Sequence, residues 1–199
     1  MKENLPKIHE TQNEPSGLGE PGSLPKRSEV YDWIQCVVAA LVFCVLLFSF
    51  FVRLVDVIGS SMYPTLEDAD KIVISRLFYT PEQGDIVVFR KGSFKDEPLV
   101  KRIIAVAGQT VDIDFENGIV YVDGEILDEP YIAELTKERE DFYGPVTVPE
   151  GCIFVMGDNR MKSNDSRDER IGFVDERSIM GKVYVTVFPL KNFGSVYRN

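Results

Sequence analysis

Gly84-Asp85-Ile86-Val87-Val88-Phe89 and, ten residues on, Leu99-Val100-Lys101-Arg102-Ile103-Ile104 decide how this chain folds. Each is a short run rich in β-branched residues and bounded by turn formers, the pattern of a strand rather than of a helix. Asp70-Lys71-Ile72-Val73-Ile74 before them repeats it, as do Ile153-Phe154-Val155-Met156 and Lys182-Val183-Tyr184-Val185-Thr186-Val187-Phe188 after them. Val111 to Phe115 and Ile119 to Val122 flank Glu116-Asn117-Gly118, a strong hairpin signal. Residues 128–148 are mixed and charged and read as an excursion from the main sheet. Residues 53–199 are therefore expected to form one mainly β domain.

Lys101 is the odd residue in these strands. A free lysine, with a pKa of about 10.4, is protonated at neutral pH. Burial among Val100, Ile103 and Ile104 would disfavour the ammonium and turn the side chain into a base. Arg102, one position on, is expected to face the other way and stay solvated.

A base implies a nucleophile. Gly59-Ser60-Ser61-Met62-Tyr63-Pro64-Thr65-Leu66 offers Ser61, and the single histidine, His9, is far away in a polar tail. Serine chemistry here must lean on a group other than imidazole. Val55, Val57, Gly59 and Ser61 share one parity, so an extended chain would set them on one side as a shallow apolar shelf. A third segment, Gly157-Asp158-Asn159-Arg160-Met161-Lys162-Ser163-Asn164-Asp165-Ser166-Arg167, reads as a polar loop directly after an apolar strand. Its hydroxyls and its Asp165/Arg167 pair could hydrogen-bond a lysine and brace a site.

Upstream of the β region, Trp33 to Val52 is a run of twenty residues without a charge. As a helix it measures roughly 30 Å, the thickness of a bilayer core. It is apolar all round, unlike a helix packed on a core by one stripe. No Ala-x-Ala cleavage pattern follows it, so it reads as an uncleaved anchor. Residues 1–29 carry four prolines and three glycines without periodicity and are expected to be a disordered tail. The expected division is thus a tail over 1–29, a transmembrane helix over 30–52 and a catalytic β domain over 53–199. Lys26 and Arg27 precede the run and Arg53 alone directly follows it, which favours a cytoplasmic N-terminus and an extracytoplasmic β domain.

Charge and cysteines narrow the function classes. Residues 53–199 carry 18 cations and 26 anions, a net of −8, which excludes nucleic acid as a natural partner. Cys36 and Cys44 lie in the apolar run and Cys152 stands alone in the β region, so the sequence predicts no disulfide there. No Cys/His cluster offers a metal site, and no cofactor motif is present.

In this order and at these separations, the segments resemble the bacterial type I signal peptidases. That family carries Ser-Met-x-Pro-Thr-Leu just after a membrane anchor, matched by Ser61 to Leu66. It carries Gly-Asp-x-Val-Val-Phe, matched by Gly84 to Phe89, then a Lys-Arg strand, matched by Lys101-Arg102. Its Gly-Asp-Asn-Arg-x-x-Ser-x-Asp-Ser-Arg is matched at every fixed position from Gly157 to Arg167. The resemblance covers roughly residues 30–190. It implies an all-β catalytic domain behind a single anchor, resting on membrane lipid and cutting signal peptides from exported preproteins. It further implies Ser61 as nucleophile, Lys101 as general base, Ser163 as the hydroxyl orienting the amine, and Asp165 with Arg167 as a supporting pair. The backbone N–H of Ser61 would hold the oxyanion. Some relatives add a hydroxyl two positions before the nucleophile, where this chain has Gly59. Val55, Val57 and Val100 are expected to wall the subsites for small side chains.

Two rivals are weaker. A self-cleaving Ser/Lys regulator is ordinarily soluble and carries a nucleic-acid-binding domain, against the apolar run and the acidic β region. An inactive tethered β domain that only binds exported chains would have no reason to hold every reactive group of residues 59–66, 101 and 157–167.

Overall fold

The computed structural model describes residues 26–197, with helix side chains described over 30–46. The chain divides into two compact units, Met1–Cys44 and Val45–Asn199. Helix α1 runs over Lys26–Phe51, from the first unit into the start of the second. The helix thus begins four residues inside the expected tail, whose residues 1–25 lie outside the described ones. Among the described residues, no helix is long and apolar enough to cross a membrane.

The second unit is built from β-strands. They are β1 (Arg53–Asp56), β2 (Lys71–Ser75), β3 (Ile86–Lys91), β4 (Lys95–Val106), β5 (Thr110–Asp114), β6 (Ile119–Val122), β7 (Glu125–Ile126), β8 (Val146–Thr147), β9 (Cys152–Met156), β10 (Val174–Asp175), β11 (Ile179–Phe188) and β12 (Gly194–Ser195). The large sheet has the order β1-β2-β11-β3-β4-β9-β10, with β12 added to β11, and a smaller sheet runs β7-β6-β5-β8. Every pairing is antiparallel.

Burial explains the opening stretch. Ile86 and Val88 pack into one cluster with Met62, Leu66, Ile72 and Ile74, whereas Val87 and Phe89 pack into another with Ile103, Ile153 and Val155. A strand covered on both faces has no polar face to alternate with, so its sequence reads as an unbroken apolar run. β4 is longer than the apolar segment suggests and begins at Lys95. The predicted hairpin is present, with Val111 opposite Val122 and Asp114 opposite Ile119. Its Gly118 has φ +74°, and a Cβ there would lie 2.6 Å from the Leu135 Cβ, so only glycine fits. The charged excursion lacks regular structure until β8 and is fastened through that turn, where Thr136 N–H donates to the Gly118 carbonyl at 3.2 Å.

Candidate active site

The segment that carries Ser61 is a loop closed at its neck. Val57 N–H donates to the Asp70 carbonyl at 2.8 Å and Ala69 N–H to the Val57 carbonyl at 2.9 Å. Inside that neck, Gly59 takes φ +90° and its N–H donates to Asp68 Oδ1 at 2.7 Å. This corrects the sequence reading. β1 stops at Asp56, and the left-handed Gly59 breaks the alternation that was expected to carry Val55, Val57, Gly59 and Ser61 along one extended face. Val55 and Val57 still reach Ser61, but through the fold of the loop. They line a cavity of about 130 Å³ together with Ser61, Leu99, Val100 and Lys101.

β4 delivers the lysine. Lys101 is 3% exposed and its Nζ donates to Ser61 Oγ at 2.7 Å. Burial drives its pKa down to about 8; the carboxylates of Asp165, Asp158 and Glu140 pull the other way, and Arg167 adds to the lowering. A serine hydroxyl in hydrogen-bond contact with an amine that is readily deprotonated is the geometry of an activated nucleophile.

Arg102 does not stay in solvent as expected, being only 4% exposed. Its Nε and Nη2 grip Asp158 Oδ1 and Oδ2 at 2.8 and 2.7 Å, its Nη1 donates to the Gly84 carbonyl at 2.9 Å, and Tyr131 stacks on it at 3.8 Å. The reason is that the other side of β4 is also covered, so a charge there needs a partner. Asp158 supplies it and also accepts a short hydrogen bond from Thr65 Oγ1, in the turn after Ser61.

The Gly157–Arg167 loop lies against Ser61. Asn159 N–H donates to the Ser61 carbonyl at 3.0 Å, and Asn159 Nδ2 to the Ser60 carbonyl at 3.1 Å. Gly157 is required by contact, since a Cβ there would fall 2.2 Å from Ser163 Oγ and 2.4 Å from the Ser61 carbonyl oxygen. Asp165 and Arg167 form a fully buried bidentate pair at 2.8 and 2.9 Å. Burial pushes the Asp165 carboxyl up, yet Arg167 and the Gly157 N–H hold it below its ordinary value. Arg167 also gathers the carbonyls of Glu138, Arg160 and Ser163, so the pair fixes the shape of the loop. Ser163 is buried beside the Ser61 backbone, but its Oγ makes no hydrogen bond, to Lys101 or to anything else among the described residues.

The sequence reading missed Asn159, Asp158 and Thr65 as site residues. The signal for Asp158 and Asn159 was the Gly-Asp-Asn order directly after an apolar strand, which places three turn-forming groups at a strand end where they can reach a neighbouring loop.

Comparison with known proteins identifies the family. Residues 30–188 match the family model described as signal peptidase, peptidase S26. The signal peptidase I of Bacillus licheniformis is 35% identical over 182 residues, 86% of this chain and 96% of that protein. That of Bacillus caldolyticus is 38% identical over 184 residues, 84% of this chain and 94% of that protein. A crystal structure of a signal peptidase I from Enterococcus faecalis V583 is 32% identical, with a TM-score of 0.45, covering 52% of this chain and 97% of that one. With most of its length matched by the family model and by full-length relatives, the chain belongs to the signal peptidase family, peptidase S26.

Proposed function

We propose that this protein is a membrane-anchored endopeptidase that removes signal peptides from exported preproteins by a Ser61/Lys101 dyad. The observation that carries the reading is the 2.7 Å hydrogen bond between Ser61 Oγ and a buried amine whose pKa is lowered to about 8. Neutral Lys101 takes the Ser61 proton as Oγ attacks the carbonyl carbon of the scissile bond. The oxyanion is met by the Ser61 N–H. Lys101 then hands its proton to the leaving amine, and in the second half activates water against the acyl-enzyme. Ser163, Asp165 and Arg167 support the amine and the loop behind it.

Substrate would enter as a strand. β1 ends the large sheet, and β4 pairs with β9 only from Arg102 onward, so Lys95–Val100 has no partner on that side among the described residues. Residues of both free edges line the cavity at Ser61. An extended peptide can complete them by main-chain hydrogen bonds. Its alternate side chains would then meet Val55, Val57 and Val100, which leave room for a methyl group and little more.

The anchor rests on the sequence. Residues 30–46 are exposed and, apart from Asp32 and Gln35, apolar, and the uncharged run continues to Val52. The described side chains fall short of the about 20 residues that a span needs, and the continuation supplies them. With Lys26 and Arg27 on the inner side, the β domain lies outside the cytoplasm against membrane lipid.

The test is to incubate the detergent-solubilised full chain with a preprotein and map the products by mass. A single cut after a small residue is expected, lost in Ser61→Ala. Comparable cutting of substrates with Ala or Phe before the scissile bond would remove the subsite assignment, and no cut in any preprotein would remove the function.

A further inference from the structure

The loop that carries Ser61 is held from behind by the last described residues of the chain. Asp70, 1% exposed, is the knot of its neck. The Asp70 carbonyl accepts from Val57 N–H, its N–H donates to the Glu67 carbonyl at 3.2 Å, and its Oδ2 accepts from Glu67 N–H at 2.9 Å. The other carboxylate oxygen, Oδ1, takes a 2.8 Å hydrogen bond from Asn192 Nδ2, which also reaches Glu67 Oε2 at 3.3 Å. Asn192 sits in the single helical turn Leu190–Asn192 between β11 and β12. The segment around it is itself pinned. β12 pairs with β11, Val196 is buried in the cluster that holds Met62 and Leu66, and Tyr197 Oη accepts from Ile86 N–H at 2.9 Å.

Met62 and Leu66 pack one side of the loop into the core and Asn159 holds its Ser60 and Ser61 carbonyls, but the stretch from Pro64 to Glu67 is not packed on every side. On its far side lies a cavity of about 330 Å³, whose lining includes Pro64, Thr65 and Glu67 of the loop and Asn192, Val196 and Tyr197 of the C-terminal segment. Space behind a loop permits it to shift, and a shift of Ser61 relative to Lys101 breaks the contact on which proton transfer depends. A polar tether is the device that resists it. Among the described residues no positive side chain hydrogen-bonds the buried Asp70 carboxylate, so the Asn192 amide is the side-chain donor that satisfies it.

We propose that Asn192 is a positioning residue for the Ser61 nucleophile, acting through Asp70. The inference rests on the hydrolytic reading of the site but concerns the loop itself. Asn192→Ala should lower kcat about ten- to hundredfold, because a misplacement of about 1 Å can cost about a hundredfold. KM for a peptide should stay within about twofold, since the free edges of β1 and β4 are untouched. Asn192→Asp should lose more, by setting two carboxylates face to face. Adding Asp70→Asn to it should rescue in part, because the amide then placed at position 70 keeps an oxygen for Glu67 N–H and can turn its nitrogen toward the carboxylate at position 192, while the contact of position 192 with Glu67 Oε2 stays lost.

The experiment measures kcat and KM of the full chain in detergent for the wild type, the single variants and the swap, with amide hydrogen exchange on each. Faster exchange confined to residues 57–70, a fall in kcat alone and partial recovery in the swap support the tether. Unchanged kcat in Asn192→Ala, or a loss of protection spread through β3 and β4, overturns it. If the wild type cuts no signal peptide, the functional reading fails instead, and the exchange of residues 57–70 in Asn192→Ala and in the swap still decides whether the tether exists.

Discussion

Lys101 and Arg102 are neighbours on one strand and almost equally buried, yet the two sides of β4 treat their charges in opposite ways. Around Arg102 the protein has assembled a full set of acceptors. Burial works against the guanidinium, and the bidentate Asp158 overcomes it, so its pKa is raised. Around Lys101 no carboxylate among the described residues makes a direct contact; the amine meets only a hydroxyl, and burial wins. The first arrangement locks a charge into the fold. The second leaves a charge poorly accommodated and its proton easily lost, which is what a general base at moderate pH requires. Adjacent positions of one strand thus separate scaffold from chemistry, and the separation is set by partners rather than by depth.

The strongest way to break the contrast is to remove the amine and keep the volume. Lys101→Met should lower kcat/KM by about two to four orders of magnitude, as expected for loss of a general base. It should also make the domain more stable at neutral pH. In the wild type the folded pKa, about 8, lies below that of the unfolded chain, about 10.4, so between these values the unfolded state binds the extra proton. Stability then climbs as pH rises through that window and is lowest beneath it. Thermal unfolding at pH 7 and pH 10 should show the climb in the wild type and its absence in the variant. A variant no more stable than the wild type at pH 7 would mean that the amine is well solvated.

Removing the partner on the other face should do the reverse. Asp158→Ala leaves Arg102 buried without its carboxylate, and breaking a pair of this kind costs about 3–5 kcal/mol. Urea unfolding measures it. Activity should fall only as far as the Thr65 contact and the loop are disturbed, so a folded Asp158 variant with wild-type stability would show that Arg102 finds other acceptors. The pH profile sharpens the same point in the intact enzyme. Below a midpoint near 8, kcat/KM should drop about tenfold per pH unit as the fraction of neutral Lys101 shrinks. A flat profile from pH 6 to 9 would remove lysine from the mechanism.

How much of this was legible follows the physics of each segment. The strands were, because β-branched runs and a Glu-Asn-Gly turn are local signals. The partners of the strands were not, since β3 lies between β11 and β4 and only the second of these is near it in sequence. Lys101 and Ser61 could be singled out by chemistry, a lysine among aliphatics and a serine with no imidazole to serve it. Arg102 was misplaced because alternation predicts which side a residue faces and says nothing of whether that side is covered. The run from Val55 to Ser61 was misread because Gly59 adopts a backbone conformation outside the strand. Asn192 was invisible for a different reason. It acts by its side-chain amide on Asp70, 122 residues away in the chain, and no local pattern encodes such a contact.

Ser163 offers the smallest effect and the finest discrimination. Among the described residues, its Oγ is the one buried side-chain polar atom without a hydrogen-bond partner, and it packs at Gly157 together with the Ser61 carbonyl. An unsatisfied buried hydroxyl costs about 1–3 kcal/mol, so Ser163→Ala should leave stability unchanged or raise it by about 1 kcal/mol. If the hydroxyl turns to the Lys101 amine while the reaction proceeds, the same variant should lose up to about tenfold in kcat, with the pH midpoint of the reaction shifted. Stability and activity would then move in opposite directions for a change of one oxygen atom. Ser163→Thr, which restores the hydroxyl but adds a methyl group against Gly157, should recover less than Ser163→Cys, which keeps the size and a weak donor. Equal activity in Ser163→Ala and the wild type would assign the residue to packing alone, and a loss as large as that of Lys101→Met would make the hydroxyl part of the proton path.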